Sequence, residues 1–203
     1  MLEVVLATRN QGKIEEIAAY LRDEDILIYS LNDFPNAGEV KEDGKTLQEN
    51  ALKKARYIAQ LTNKAAIADD SGLEVDALDG KPGVLSARYA GDEANDDENN
   101  EKLLEELDGL PEQDRGASFR CVLVLVEPSG QETVIEEGCQ GVITDRKRGE
   151  QGFGYDPLFF FPPLNATFAE LTPEEKNQVS HRGKALRKLR DVLKRKAREA
   201  ESQ

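Results

Sequence analysis

"ASFRCVLVLVEPSGQETVIEEGCQGVIT", residues 117–144, carries the longest β signal in the chain. Two runs rich in valine, leucine and isoleucine flank the turn "EPSGQE", the pattern of a β-hairpin. A three-residue loop at Ser129–Gln131 would set Cys121 opposite Cys139. Upstream the pattern alternates. "LEVVLA" reads as a strand, and Ile14, Ile17, Ala18 and Leu21 then recur at helical spacing. "DILIYSL" is a second strand, followed by a long acidic connection from Asn32 to Lys45. Thr46 with Glu49 opens a helix whose inner face is Leu47, Ala51, Ala55 and Ile58. "AAIA", 65–68, is a short buried strand that ends at Asp69 and Asp70. Strands alternating with helices and then a hairpin predict an α/β fold: a mixed sheet with two lobes and a cleft.

Downstream of residue 90 the elements are a charged helix over Ala94–Leu107, a strand at "PLFFF", and a short helix begun by Thr172, Pro173 and Glu175. Ser180 caps a last helix with Leu186, Leu189 and Leu193 inside, and "KRKAREAESQ" is expected to fray.

The 203 residues suffice for one core or for a core with a smaller lobe, and 33% are charged. Net charge is −13, which argues against a general nucleic-acid or anionic-membrane binder. From His181 onward, nine Lys/Arg against three Asp/Glu make a basic tail on an acidic body. A polyanionic substrate therefore needs a local positive pocket or a metal. No apolar run is long enough to cross a bilayer, and the start has no signal-peptide pattern, so a cytoplasmic protein is expected. Cys121 and Cys139 lack zinc or redox-pair spacing and read as reduced thiols.

Four polar clusters fall at element ends. "TRNQGK", 8–13, joins a strand to a helix, where free amides, Gly12 and the charge of Lys13 suit a phosphate, or serve only an ordinary loop. "EDG", 42–44, and "DDSG", 69–72, offer hard oxygen ligands for Mg²⁺, or a turn capped by Asp70 or Ser71. "GFGYDPLFF", 152–160, sets Phe153 or Tyr155 to stack on a base, or leads into a core strand; Pro157 holds Asp156 extended. Lys176, and His181 with Arg182 just after Ser180, could meet an anion or a base edge, or be plain first-turn residues. Together these parts fit a nucleoside triphosphate hydrolysed with Mg²⁺.

"LATRNQGK", "ENALKKA", "IADDSGLEVDAL", "PGVLSARYAG", "GFGYDPLF" and "SHRGKAL", in this order over nearly the whole chain, resemble the inosine triphosphate pyrophosphatase family. The resemblance implies one elongated two-lobed domain over 1–203 (the last ten residues a basic tail) with a central mixed sheet and a nucleotide cleft. It implies a Mg²⁺-dependent homodimer that cleaves ITP, dITP or XTP between the α- and β-phosphates and so cleanses the nucleotide pool. Matched to its motifs, Thr8, Arg9, Asn10, Gln11, Gly12 and Lys13 form the phosphate loop, Glu42 and Asp70 hold the metal, and Asp70 is catalytic with Asp69 in support. Ser71, Phe153, Gly154, Tyr155, Asp156, Lys176, His181 and Arg182 become substrate contacts. The alternatives are a pyrophosphatase for another modified nucleotide, a nucleotide sensor without turnover, and an acidic scaffold whose clusters are only caps and turns.

Overall fold

The computed structural model describes residues 2–22 and 25–201. Twelve regular elements build it: β1 (Leu2–Leu6), α1 (Gln11–Leu21), β2 (Ile26–Tyr29), α2 (Leu47–Thr62), β3 (Ala65–Val75), α3 (Asp96–Glu106), β4 (Gly116–Val126), β5 (Glu132–Ile143), β6 (Phe159–Phe161), β7 (Ala166–Thr167), α4 (Pro173–Val179) and α5 (His181–Glu201). The strands form one seven-stranded mixed sheet in the order β2-β1-β3-β4-β5-β6-β7, so the expected α/β class holds. The chain divides into two compact units, and β3, β4 and β5 each contribute residues to both.

The first unit comprises the chain up to Asp70, Cys121–Glu136, and the chain from Lys184. Here β1 pairs in parallel with β2 and with β3, Val4 opposite Ala65 and Leu6 opposite Ile67. Parallel strands are covered on both faces, and the apolar residues divide accordingly. Val4, Leu6 and Ile67 pack with Ile17 of α1 and Leu186 and Leu189 of α5. Val5, Ala66 and Ala68 pack instead with Ala51, Ala55 and Ile58 of α2. Alanines on both sides of that second layer leave room for the helix to lie close to the strands.

The second unit comprises Ser71–Arg120 and Glu137–Gly183. In it β5, β6 and β7 pair antiparallel. Its core is aromatic: Phe119 lies 4.6 Å from Phe159 and Phe159 lies 4.8 Å from Phe168, ring centre to centre. Both of its helices start with reciprocal caps, Asn95 with Glu98 on α3 and Thr172 with Glu175 on α4, where Pro173 occupies the first turn.

Three expectations change. The strand expected to stop at Ala68 runs on to Val75, so Asp69 and Asp70 sit inside β3 and the capped turn at "DDSG" does not form. The hairpin turn closes with Glu127 N–H on the Gln131 carbonyl at 2.9 Å and encloses Pro128–Gly130, one residue earlier than the loop that would have paired the cysteines. Cys121 and Cys139 are buried reduced thiols in separate core clusters. Finally, α5 continues to Glu201 through the segment expected to fray, which consists mostly of strong helix formers; residues 202 and 203 lie outside the described residues.

Candidate active site

Successive side chains of a strand point to opposite faces, so two neighbouring aspartates in β3 must face apart. Each finds its own lysine. Asp69 shares the face of Ile67, where Lys13 of α1 places its ammonium 2.6 Å from Oδ1 and the Cys121 thiol lies 3.3 Å from Oδ2. Asp70 shares the face of Ala68, where Lys54 of α2 reaches Oδ1 at 3.0 Å. The same Lys54 Nζ bonds Glu42 Oε1 at 2.9 Å. Both ammonium groups also donate to one acceptor, the Asp69 carbonyl, at 3.3 Å from Lys13 and 3.0 Å from Lys54. The repulsion implied by the adjacent carboxylates is therefore answered by two cations, one on each face.

Lys54 was not among the residues singled out from the sequence. Its signal was there: it falls on the apolar stripe of its helix beside Ala51, Ala55 and Ile58, and it is 8% exposed. A lysine on a buried face needs a charged partner.

Burial pushes the Asp70 carboxyl above the ordinary aspartate range, and Lys54 and Lys13 pull it down without cancelling the rise. For Lys54, burial works against the ammonium, but Asp70 and Glu42 outweigh it and hold its pKa above the usual lysine value. Lys54 thus stays charged while Asp70 is a carboxylate of raised basicity.

Two carboxylate oxygens, Glu42 Oε1 and Asp70 Oδ1, each lie about 3 Å from one Lys54 nitrogen. Among the described residues no group of three or more His, Cys, Asp or Glu is arranged for a metal. A two-carboxylate set fits Mg²⁺, which commonly keeps water and substrate phosphates as its remaining ligands; it does not resemble a closed structural site.

In the phosphate-loop candidate, Asn10 caps α1 by accepting from Lys13 N–H at 3.0 Å, and Thr8 Oγ1 accepts from Asn10 N–H at 3.1 Å. Gly12 lies in the first turn of α1 and is half-buried. Gln11 turns away along the helix to Glu15. Arg9 donates to the Ala37 carbonyl at 3.0 Å, tying this loop to the acidic connection that carries Glu42.

The second unit brings the remaining candidates together. Lys176 Nζ lies 4.8 Å and the Arg182 guanidinium 5.3 Å from the centre of the half-buried Phe153 ring. Asp156 Oδ2 accepts from Lys176 at 2.6 Å and from Phe153 N–H at 2.9 Å. That close approach requires Gly152, where a Cβ would lie 2.0 Å from the same oxygen and φ is +78°. Arg182 donates to Ser71 Oγ at 3.3 Å. Gly154 is held from both sides, its N–H on Asp96 and its carbonyl on the Asn100 amide. Neither Asp96 nor Asn100 was expected, since over fifty residues separate each from Gly154.

Two candidates are more buried than a ligand contact through the ring suggests. Tyr155 is 4% exposed and donates its hydroxyl to the Ser86 carbonyl at 2.9 Å, and burial raises its pKa well above the usual tyrosine value. Of the two aromatics it is Phe153 that is only half-buried. His181 is stacked on Phe119, 4.6 Å between centres with planes 12° apart.

A lysine-braced carboxylate pair and an aromatic ring flanked by two cations suit a nucleotide, and comparison with known proteins defines the class. The chain belongs to the Ham1 family, whose model matches residues 4–192. A relative from Geobacter sulfurreducens, named dITP/XTP pyrophosphatase, is 55% identical over 95% of this chain and 97% of its own. Another of that name, from Desulforamulus reducens, is 51% identical over 96% of each. The solved structure of a HAM1 protein from Coxiella burnetii superposes with a TM-score of 0.88 at 44% identity, covering 96% of this chain and all of that one.

Proposed function

We propose that this chain hydrolyses non-canonical purine nucleoside triphosphates (ITP, dITP, XTP) to the monophosphate and pyrophosphate, and so removes deaminated purines from the nucleotide pool. The observation that carries this reading is the convergence of Lys54, Asp70 and Glu42, together with the name shared by the relatives.

Asp70 is the catalytic group. A carboxylate with raised basicity accepts the proton of a water attacking the α-phosphorus. Lys54 keeps Asp70 oriented, and Lys13 and Lys54 attract the triphosphate oxygens; they now share the Asp69 carbonyl and would turn to phosphate when it arrives. Asp69 supports the reaction through Lys13, which it holds by ion pairing. Glu42 and Asp70 are the residues that would hold Mg²⁺, which supplies charge neutralisation on the phosphates when bound. The loop Thr8, Arg9, Asn10, Gln11, Gly12 and Lys13 lines the phosphates.

Phe153 stacks on the purine, and its ring is held in place by Lys176 and Arg182. Backbone groups and the His181–Arg182 pair read the 6-oxo edge, with Ser71 beside Arg182. A 6-amino purine would leave donors facing donors there, a mismatch that discriminates by orders of magnitude. The 203 residues act as a single catalytic domain, in a cytoplasmic homodimer without nucleic-acid or membrane partners.

The test is pyrophosphate release over a panel of ITP, dITP, XTP, ATP, GTP and modified pyrimidine triphosphates, with and without Mg²⁺. Mg²⁺-dependent turnover of the 6-oxo purines ITP, dITP and XTP well above ATP and GTP is expected. Equal rates on ATP and GTP would remove the cleansing role, and binding without release would make the protein a sensor.

A further inference from the structure

Asn50 is 1% exposed on α2, one turn before Lys54 on the same buried face. Its Oδ1 accepts from Gly44 N–H at 2.8 Å, which assigns the amide orientation, since only the oxygen can take that hydrogen. Its Nδ2 is buried and has no hydrogen-bond partner among the described residues. A buried donor left unmet costs the fold free energy, so as a packing residue asparagine is a poor choice here.

What Asn50 does hold is the segment that carries Glu42. Beside the Lys54–Glu42 pair itself, three contacts bind residues 43–45 to α2: Asp43 to Lys53 at 2.6 Å, Lys45 N–H to Glu49 at 2.6 Å, and Gly44 to Asn50. The Asp43–Lys53 pair is half exposed, and pairs of that kind are worth little. The Lys45–Glu49 contact belongs to the helix start. The Asn50 contact holds Gly44, two residues from Glu42, to a residue that is itself 1% exposed and lies one turn before Lys54. Gly44 is shaped to it, since a Cβ there would lie 2.6 Å from Asn50 Oδ1 and 2.9 Å from Glu49 Cβ.

We propose that Asn50 is a positioning residue for the metal-binding carboxylate, fixing Gly44 so that Glu42 stays against Lys54 and Asp70, at the expense of its own unmet amide. This rests on the reading of Glu42 and Asp70 as Mg²⁺ ligands. Outer-shell partners of ligating groups typically govern metal affinity by about 10–100-fold. The near-isosteric Asn50→Leu removes both the grip on Gly44 and the buried donor. It should weaken metal binding by about 10–100-fold while leaving the melting temperature unchanged or raised, a combination that a purely structural asparagine would not give.

The experiment titrates Mn²⁺, a paramagnetic stand-in for Mg²⁺, into the full chain and reads free Mn²⁺ by electron paramagnetic resonance, with melting temperatures alongside. The variants are Asn50→Leu, Gly44→Ala, Glu42→Gln and, as control, Lys53→Met. Weakening in N50L, G44A and E42Q with K53M near wild type supports the proposal. Wild-type affinity in N50L, with E42Q weakened, overturns the role of Asn50 and leaves the metal site standing. Wild-type affinity in E42Q itself removes the metal reading and this inference with it. Should N50L not fold, G44A decides: weakened Mn²⁺ binding supports the proposal and wild-type binding overturns it.

Discussion

Lys54 is a single positive charge shared by two carboxylates and a carbonyl, so it and Asp70 should respond to substitution in opposite ways. Lys54→Met leaves Asp70 buried without its ammonium. Breaking a buried pair from one side costs about 3–5 kcal/mol, which urea denaturation would read, and turnover should collapse with it. Asp70→Asn leaves Lys54 with Glu42 and the Asp69 carbonyl, so the fold should survive while kcat falls by about 10²–10⁴. The raised pKa of Asp70 also fixes the direction of the pH effects. In the metal-free chain the carboxylate form is lost on the acid side at a pH above that of an ordinary aspartate, because the group protonates early. Stability runs the other way: a raised folded pKa means the fold prefers the protonated form, and that contribution is lost as pH rises through it. The melting temperature of D70N should therefore gain on the wild type from acid to neutral pH, read by calorimetry across a pH series.

At the scale of elements, the interface of α2 with the strands is built from small side chains, Ala51 and Ala55 against Ala66 and Ala68. Ala55→Leu would overfill it, costing about 1–3 kcal/mol and shifting Lys54 next to it; a lower denaturant midpoint together with reduced turnover is the expected pair of readings. On α4, which carries Lys176, Thr172→Ala removes a reciprocal cap and should cost about 1 kcal/mol. Elements of this kind were legible from sequence because their signals are local: the caps at Thr46, Thr172 and Ser180 and the stripe of α2 appear where the pattern puts them, and the hairpin forms with its turn one residue earlier. The length of β3 was not. Two aspartates look like a strand end by composition, and only Lys13 and Lys54, brought from separate helices, make them tolerable inside one.

For the molecule as a whole, the candidate residues separate by unit, with Lys13, Glu42 and Asp70 in one and Phe153, Asp156, Lys176 and Arg182 in the other. Neither group could be drawn from sequence as geometry. The motifs named most of the members, while the braces supplied by Lys54, Asp96 and Asn100 depend on contacts that no short window contains. If the native chain binds its reaction product, inosine monophosphate with Mg²⁺ should raise its melting temperature, by an amount equivalent to about 2.7 kcal/mol when the ligand is at a hundred times its dissociation constant.

The alternation of β3 has a consequence for how this gene can change length. Between Ala65 and Asp70 the strand assigns one aspartate to α1 and the next to α2 by parity alone. Losing or gaining one codon there would exchange the two faces and carry each carboxylate to the wrong helix. Loops such as Pro128–Gly130 can absorb such events at the surface. In the first half of β3, changes of residue identity are open to graded outcomes, but a one-residue change in length is all or nothing.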